Sequence, residues 1–582
     1  MYKPENCKGV EQTFLIFQHL YCQYDWCQYK EQQQVNPALQ APPPSIFCFV
    51  EGLPGTGKSF VTKTISNITR KLHKRNNADM KSAPTGCAGA LIGGSTHCRC
   101  NGIPTGKKFM APPTAITTSK TDALNAMVAT MCAIFTRLMD KHSMAGRPFW
   151  GWFKYRHEEL RRPPSVVTVA AILPDSHSLK TEIYNRPWGG IPCIYSFGDS
   201  AQLPPVMMKA LYDKTPGKQG SSDVAGRTAI SEFLLPPDET EARSTVVIMD
   251  KVLRQDNADM LRTLGAMRNG NMKDVDVQFL LDRCIDILSP EEQLKFHNTY
   301  KTLHLVPRWN MTHKLIFEYL QEFTTPMAKI RAEYSSGQDN ATNHCIKESS
   351  YPDRLAICVG SIVMLLKNFV VEQDILNGSI GIVREIVYKD AIGPKGDTIQ
   401  FPAYEVVEFP YSKIPEDKKC FPDKPSTWIP IPVVTERCEK KCCSITTIPL
   451  RVCIAITIYK SQGMTIGEGE IFEYVVVYFP EEGRRNSAPG SELVAISRAK
   501  KPENLAIGNE SLSLTIMRLM SIGKGKANDK RRAFEQELKG KAGPSQLYYI
   551  NKIKDLDTNE IDNEKSFDGG CQFLLGWYNN KV

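Results

Sequence analysis

Short, continuous apolar runs mark the parts of this sequence that are best suited to buried strands. The runs are IFCFVEG at 46–52, IPCIYSFGD at 191–199, RVCIAITIYKSQG ending at Gly463, and EYVVVYF at 473–479. Apolar runs separated by long helical or mixed stretches are typical of parallel sheets with crossover helices. The pattern therefore predicts an α/β fold.

Two later segments have other patterns. Between 381 and 445, the short alternating runs GIVREIVY, YEVVEF and WIPIPVV are broken by Gly, Pro and Lys. This alternation predicts a small antiparallel β-barrel inserted in the second half of the chain. From about 511 onward the sequence is basic and polar, as in GKGKANDKRRAFEQELKGKAG. We interpret residues 511–582 as a basic C-terminal tail.

Composition narrows the class of protein. The chain has 582 residues, 42% of them hydrophobic and 23% charged, which predicts a globular protein of two or more domains and excludes collagen-like, coiled-coil and wholly disordered chains. No run of about 18 uncharged apolar residues occurs, and the N-terminus is polar. We therefore expect an intracellular protein, nuclear or cytoplasmic, with no membrane association. The net charge of +9 permits a polyanionic partner without demonstrating one.

The 18 cysteines form no regular framework, so we expect reduced thiols rather than disulfides. Two groups could suggest metal binding, but neither has the paired C-x-x-C spacing of a zinc site, and plain thiols are favoured. These groups are Cys438, Cys442 and Cys443 with Cys420 upstream, and the trio His97, Cys98 and Cys100.

The strongest chemical signal is the segment GLPGTGKS at 52–59, which follows a predicted strand and precedes a helix-compatible stretch. Its glycines let backbone N–H groups converge on phosphate oxygens, Lys58 reaches the β- and γ-phosphates, and the Ser59 hydroxyl binds Mg²⁺. The sequence thus predicts that ATP and Mg²⁺ are bound here. The residues assigned to the nucleotide are Gly52, Pro54, Gly55, Thr56, Gly57, Lys58 and Ser59.

Six further segments follow in an order that is specific as a set. They are SAPTGCAGALIGGSTHC (82–98), SFGDSAQLPPV (196–206), LRQ (253–255), SIVMLLKNFVVEQDILNGSIGIV (361–383), AITIYKSQGMTI (455–466) and LVAISRAKK (493–501). Over roughly residues 9–510 the chain resembles the Pif-like and RecD-like DNA helicases of superfamily 1, group B.

The resemblance implies two tandem RecA-like P-loop motor domains with the small β-barrel inserted in the second. The expected divisions are 1–235 for the first motor domain, 236–380 and 446–510 for the second, 381–445 for the barrel, and 511–582 for the tail. The implied function is an ATP-dependent DNA helicase that moves 5′ to 3′ on single-stranded DNA and unwinds duplex. Such an enzyme acts in DNA repair and recombination, and we expect a monomer bound to single-stranded and forked DNA.

Several polar residues fit the nucleotide chemistry. Asp199 and Gln202 follow a buried strand and a glycine, where a polar pair can sense the γ-phosphate. By resemblance, Arg254 and Arg498 are guanidinium fingers that reach the nucleotide from the second motor domain and stabilise the transferring phosphoryl group. The resemblance also assigns Gln12 to adenine reading, against an exposed helical glutamine as the alternative, and Gly463 to nucleotide contact.

The residues predicted to bind the DNA strand carry hydroxyls, amides and exposed backbone N–H groups, which hold phosphates without reading bases. They are Thr85, Gly86, Thr96 and His97 in the first motor domain, and Lys460, Ser461 and Gln462 in the second. Where the family usually has His before that lysine, this chain has Tyr459, which we expect to change little because a phenol also stacks and donates. We identify no residue that discriminates DNA from RNA, so an RNA helicase of the same superfamily is an alternative function.

Two segments compete to supply the carboxylate that holds Mg²⁺. SVVTVAAILPD (165–175) is the better strand by β-branching, but it has no acid before Asp175. CAIFTRLMDKHSMAG (132–146) is the poorer strand, but it ends in Asp140 and resembles the D-E-x-S-M of the family. We choose Asp140, because a magnesium site without its acid fails.

On this choice Lys141 stands where the family has its catalytic Glu. A missing general base typically costs about 10²- to 10⁴-fold in rate, so a hydrolysis-impaired clamp that binds ATP and DNA is an alternative function. An ammonium beside Mg²⁺ is also repelled, so we expect Lys141 to turn away or lose its proton. Glu158 or Glu159 could instead serve the attacking water.

Overall fold

The computed structural model describes most of the chain. The described residues are 7–35, 42–104, 109–114, 121–161, 183, 186–235, 244–298, 300–335, 351–370, 373, 375–392, 398–437, 443–479, 488–508, 512–556 and 567–582.

The first half is built on a six-stranded parallel sheet in the strand order β3-β2-β4-β5-β1-β6. Strand β1 is buried along its whole length because β5 and β6 flank it and helices cover both faces, which is why its sequence is a continuous apolar run. The elements are α1 (Val10–Val35), β1 (Ile46–Gly52), α2 (Lys58–His73), β2 (Asp79–Ala83), α3 (Gly86–Leu91), β3 (Ser95–Thr96), α4 (His97–Asn101), α5 (Thr121–Ala133), β4 (Thr136–Asp140), α6 (Arg147–Arg161), β5 (Cys193–Gly198), α7 (Ser222–Ser231) and β6 (Ser244–Met249).

Strand β6 corrects one predicted boundary. Phe47 to Gly52 pair in parallel with Ser244 to Met249, so the first sheet extends past residue 235, where the sequence placed the end of the first motor domain. The second half starts after this strand with α8 (Ala258–Asn269), α9 (Asp274–Leu281), α10 (Pro290–Phe296), β7 (Thr302–Val306) and α11 (Trp309–Gln321).

The next strands are antiparallel, and the alternating sequence predicted those that lie within 381–445. They are β8 (Ala328–Arg331), β9 (Glu333–Tyr334), β10 (Arg354–Ile357), β11 (Ile362–Leu365), β12 (Ile380–Ile392), β13 (Thr398–Glu408), β14 (Trp428–Pro432), β15 (Val434–Arg437), β16 (Ser444–Thr447) and β17 (Leu450–Val452). Five of them form a sheet in the order β14-β13-β12-β11-β17, with β14 and β17 at its edges. Among the described residues no pairing joins these edges, so a closed barrel is not confirmed, and the sheet includes strands outside 381–445.

The chain then completes a second parallel sheet, ordered β18-β7-β19-β20. The added elements are β18 (Ala455–Thr457), β19 (Tyr474–Val477), α12 (Ser491–Ile496) and β20 (Leu505–Ile507). The single run predicted to end at Gly463 is therefore two short strands, β17 and β18, followed by one 3₁₀ turn over Ile458–Ser461. The sequence prediction of an α/β fold with two parallel sheets is confirmed.

The C-terminal region is helical and packed, which corrects its description as a tail. Its helices are α13 (Leu512–Ser521), α14 (Lys526–Lys554) and α15 (Phe567–Lys581). Phe534, Leu538 and Ala542 of α14 are buried in the same core cluster as Phe47 and Phe49 of β1. The basic residues that suggested a tail lie mostly on the other face of this helix, in solvent.

Candidate nucleotide site between the two sheets

The P-loop connects the end of β1 to the start of α2, as the sequence predicts. Gly55 and Gly57 have φ of 81° and 87°, a left-handed conformation that glycine adopts without strain. A Cβ on Gly57 would lie 2.3 Å from Nε2 of Gln12, so this position also has no room for a side chain. Helix α2 begins at Lys58, and its first N–H groups are directed toward the loop.

A cavity of about 460 Å³ opens beside this loop, between the two parallel sheets. The P-loop forms one wall, the connection from β6 to α8 forms a second, and the region around β18 and α12 forms a third. The lining residues are Pro54, Gly55, Thr56, Gly57, Lys58, Ser59, Lys63, Leu91, Lys141, Gln202, Leu253, Arg254, Gly463, Thr465, Arg498 and Lys500. The structure thus brings together most of the residues that the sequence assigns to the nucleotide.

Gln12 lies under the loop rather than on an exposed helix face. Its Nε2 donates to the Thr56 carbonyl oxygen at 2.8 Å, its Oε1 accepts from the Lys8 backbone N–H at 3.2 Å, and the side chain is buried. These bonds hold the amide at the entrance to the P-loop. Its role in reading adenine stays a prediction.

Asp140 is the last residue of β4, and it lies at the same sheet edge as the P-loop. The register pairs Asp140 with Phe197 and Glu51 with Gly198, so the carboxyl ends of β4, β5 and β1 meet there. The competing segment that ends in Asp175 lies outside the described residues.

Lys141 points into the cavity and does not turn away from it. Its Nζ is 4.0 Å from Oδ2 of Asp140, and its backbone has a left-handed φ of 60°. Burial lowers the pKa of Lys141, and Arg498 and Arg254 add to this effect against the opposing carboxylate of Asp140. Of the two alternatives expected from sequence, the structure does not show the side chain turned away, and the lowered pKa agrees in direction with the loss of its proton.

The cavity holds an unusual concentration of positive charge. Burial lowers the pKa of Lys58 to about 8, with Asp199 opposing the change and Lys141 adding to it. Burial also lowers the pKa of Arg254 to about 10, and it lowers the pKa of Arg498 well below its usual range. A polyanion placed among these groups would replace repulsion by attraction.

Lys58 is held in place by the loop itself. Its Nζ donates to the carbonyl oxygens of Gly52 at 2.6 Å and of Leu53 at 2.8 Å. These carbonyl groups satisfy the buried ammonium. Phosphate oxygens would compete for the same donors.

Arg254 and Arg498 meet at one turn of the second half. Nη1 of Arg254 donates to the Ser497 carbonyl at 2.9 Å, and Nη1 of Arg498 donates to the Met464 carbonyl at 3.2 Å. Arg254 follows β6, so it comes from the connection between the sheets and not from the second sheet itself. The Leu253 N–H donates to the Gly55 carbonyl at 2.8 Å, which joins this connection to the P-loop.

Asp199 and Gln202 form a hydrogen-bonded pair after β5. Nε2 of Gln202 donates to Oδ2 of Asp199 at 2.9 Å, while Nε2 of Gln462 donates to Oε1 of Gln202 at 3.0 Å. Gln202 therefore connects the first sheet to the segment after β18. Gln462, which the sequence analysis predicted to contact the DNA strand, is buried beside this pair.

Two further residues that were predicted to bind the DNA strand have buried side chains. His97 is 1% exposed, its Nδ1 is 2.8 Å from Oγ of Ser82, and its ring packs on Phe153. Ser461 is fully buried, and its Oγ donates to the Ile458 carbonyl at 2.8 Å. Neither side chain is open to solvent in this structure, and DNA contact by these residues stays a prediction.

The other residues that were predicted to bind the DNA strand are more accessible to solvent. Thr85 is partly exposed, and a Cβ on Gly86 would lie 3.3 Å from the Asn377 side chain, which places this segment where the two halves meet. Thr96 caps α4 by accepting the Arg99 N–H at 3.3 Å. Nζ of Lys460 lies 4.9 Å from the Trp309 ring centroid.

Tyr459, which replaces the usual His, is half-buried against the core of the second half. Strand contact by Thr85, Gly86, Thr96 and Lys460 stays a prediction.

Two site residues, Glu51 and Arg268, were missed from sequence. Glu51, the residue before the P-loop, accepts from Nε2 of His142 at 3.0 Å and from the backbone N–H of Ser200 at 2.5 Å. Arg268 of α8 forms ion pairs with Asp199 and, at 3.5 Å, with Glu51. A buried acid at the end of an apolar strand was the available signal for Glu51, but nothing in the local sequence singles out Arg268.

The alternative acids and metal groups gain no support. Glu158 accepts from the Trp188 N–H at 3.3 Å and Glu159 pairs with Arg156, and neither is among the residues that line the cavity. In the part of the chain that the structure describes, no group of three metal-binding side chains occurs and the cysteines are free thiols. Cys438 and Cys442 lie outside that part.

Comparison with known proteins gives a family match for part of the chain. The family model described as PIF1-like helicase matches residues 29–217. No curated protein sequence matches the chain significantly. No helix in the described ranges is both long and apolar enough to cross a membrane.

The fold is shared with solved Pif1 helicases. A Pif1 helicase from Candida albicans has a TM-score of 0.59 at 19% identity, covering 88% of this chain and 98% of that one. Bacteroides Pif1 in complex with ADP-AlF3 and ssDNA has a TM-score of 0.53 at 19% identity, covering 87% and 97%.

A structure describing DNA unwinding at forked dsDNA by two coordinating Pif1 helicases has a TM-score of 0.55 at 19% identity, covering 85% and 94%. The family match over residues 29–217 and the fold shared across most of the chain show that this protein is similar to the PIF1-like helicases and has the fold of solved Pif1 helicases.

Proposed function

We propose that this protein is an ATP-dependent DNA helicase that moves 5′ to 3′ on single-stranded DNA and unwinds duplex. The observation that supports it best is the cavity in which the P-loop of one sheet faces Arg254, Gly463 and Arg498. A triphosphate held there would contact both halves, so its hydrolysis would change how the halves sit together.

Each group has a part in this proposal. The P-loop N–H groups and Lys58 bind the β- and γ-phosphates, Gln202 senses the γ-phosphate, and the two arginines stabilise the transferring phosphoryl group. Ser59 Oγ and the Asp140 carboxylate are hard oxygen donors of the kind that Mg²⁺ prefers, and the bound ion would neutralise charge on the phosphate oxygens.

The second candidate is a clamp that binds ATP and DNA but hydrolyses little. Lys141 favours it, because it occupies the position beside Asp140 from which a carboxylate base would orient water. DNA-stimulated phosphate release separates the candidates: a helicase releases phosphate at about 1 to 100 per second, whereas the clamp stays near the unstimulated rate.

Polarity and substrate are tested by strand displacement. Duplexes with a 5′ tail should be unwound and those with a 3′ tail should not, and unwinding of the 3′-tailed substrate alone would contradict the proposed direction. Competition between matched DNA and RNA oligonucleotides tests the choice of nucleic acid. The same reactions, run over a range of protein concentrations, test action as a monomer, since one of the similar structures describes unwinding at forked dsDNA by two coordinating Pif1 helicases.

A further inference from the structure

The C-terminal helix α14 contacts both halves of the molecule. Along its middle, Oγ of Ser545 accepts the Val246 N–H of β6 at 3.0 Å, and Phe534 and Leu538 are buried on the first sheet. Near its start, Nη2 of Arg531 donates to the Arg268 carbonyl at 2.5 Å. The helix therefore spans from the sheet that carries the P-loop to the end of α8, which opens the second half.

Arg268 connects this helix to the nucleotide-sensing pair. Its Nη1 forms an ion pair with Oδ1 of Asp199, and its Nη2 donates to Oε1 of Glu535 of α14 at 2.8 Å. The same Nη2 is 3.5 Å from Oε1 of Glu51. One guanidinium thus serves three carboxylates, and its side chain is only 11% exposed.

Glu535 is held by a second arginine of its own helix. Nη1 of Arg531 donates to its Oε1 at 2.7 Å, one turn earlier in α14. The side chains of Arg531 and Glu535 are 2% and 13% exposed. This arrangement fixes the carboxylate on which Arg268 rests.

The charges of this cluster depend on one another. Burial would raise the pKa of Asp199, but Arg268 and Lys58 outweigh it and hold that pKa below its usual value. Burial raises the pKa of Glu535 despite both arginines. Removing one member of a buried charged group leaves the others without compensating charge. A change at Glu535 therefore alters the electrostatic environment of Arg268 and Asp199.

We propose that Arg268 is a positioning residue for Asp199, and that Glu535 holds Arg268, so that helix α14 is coupled to the γ-phosphate sensor. The proposal rests on the proposed function of the cavity. Gln202 lines the cavity and shares Asp199 with Arg268, so a γ-phosphate that moves Gln202 changes the bonds available to Arg268. Coupling of this kind is reciprocal: α14 in turn adjusts how strongly the site prefers ATP to ADP.

The test compares E535Q with a matched control, E537Q. Glu537 is on the same helix and pairs with Lys214 at 3.4 Å, but it is 38% exposed and outside the cluster. Affinities for ADP and for the non-hydrolysable adenosine 5′-(β,γ-imido)triphosphate are measured by displacement of a fluorescent ADP. We expect E535Q to reduce the preference for the triphosphate about tenfold, E537Q to leave it unchanged, and E535D to restore part of it.

The outcomes are distinct. If E535Q melts as the wild type does and keeps the wild-type preference, the coupling is refuted while the nucleotide site stands. If wild type and K58A both bind neither nucleotide, the proposed function fails and the coupling fails with it.

A second measurement covers the case in which E535Q does not fold. Hydrogen exchange of residues 526–554 in the wild type should differ between the triphosphate analogue and ADP. Equal exchange in the two complexes would overturn the proposal.

Discussion

At the scale of single residues, Lys141 is the residue that distinguishes an active helicase from a clamp that binds ATP but hydrolyses little. It stands beside Asp140 and inside the cavity, where related motors need a carboxylate. We expect K141E to raise DNA-stimulated ATP hydrolysis by about 10²-fold or more, because it adds a water-orienting base and removes a cation from beside Lys58. Steady-state phosphate release measures this.

K141Q is the matched control, since it removes the charge and keeps the size of the side chain without supplying a base. A rate for K141Q equal to that of K141E would assign the gain to charge alone. A loss of activity in K141E would show that the catalytic carboxylate position is not residue 141.

Glu405 gives a prediction about pH and stability. It is fully buried on β13, both carboxylate oxygens lack a hydrogen-bond partner among the described residues, and burial raises its pKa to about 8. The unfolded chain has the ordinary value of about 4.3, so the folded state binds the proton more tightly. Its contribution to stability is complete below the unfolded pKa and is lost as pH rises through about 8.

We therefore expect the free energy of unfolding to fall by about 1.4 kcal/mol per pH unit between about pH 5 and 8 through this one residue. E405Q should remove that slope, as read from melting temperatures across the range. E408Q, on the same strand but paired with Arg384 near the surface, should keep it. An unchanged slope in E405Q would show that the carboxyl is not titrating.

Residue-level predictions from sequence succeed where a motif fixes the local backbone. The P-loop, the placement of Asp140 at the end of a strand, and the pairing of Asp199 with Gln202 all follow from short-range order. The burial of His97 and Ser461 was not predicted, because polar side chains in such a motif can also hydrogen-bond to buried partners, and the sequence pattern does not show which side chains are buried. The role of Arg268 could not be predicted from local sequence, because its partners Asp199 and Glu535 lie 69 and 267 positions away.

At the scale of elements, the antiparallel sheet extends beyond the predicted insertion 381–445. Strands β11 and β17, which flank 381–445, pair with each other, and β11 also pairs with β12 inside it. Deleting 381–445 would remove buried Val383, Val407, Ile429 and Ile431 from the core of the second half. We expect a loss of about 5 kcal/mol or more, because each such side chain contributes roughly 1.5–3 kcal/mol.

Denaturant unfolding of the deletion variant measures this loss, and ATP binding should fall together with stability. Wild-type stability in the variant would instead support an independent module, as the sequence suggested.

Element prediction works for the parallel strands because burial on both faces makes them continuously apolar. It fails for α14, whose exposed face carries enough Lys and Arg to hide the apolar positions Phe534, Leu538 and Ala542. Sequence also does not predict whether the antiparallel sheet closes into a barrel or where the sheet begins and ends, because alternation indicates strands but not their pairing partners.

At the scale of the whole molecule, the account depends on two parallel sheets that share one cationic cavity. Positive groups from the P-loop, from the β6–α8 connection and from the region after β18 face the same space. A triphosphate held in this cavity would contact both halves, which is the property that the proposed motor would use. Sequence order alone predicted the family and its two sheets, whereas the helical C-terminal region that joins them emerges only from the structure.

The central claim is therefore best tested by phosphate release in the presence and absence of single-stranded DNA, with K58A beside the wild type. K71A is the control, since Lys71 lies exposed on the same helix and outside the cavity. We predict that DNA stimulates release in the wild type and in K71A, and that K58A abolishes it because the β- and γ-phosphates lose their charge partner. Equal turnover in K58A and the wild type would contradict the account.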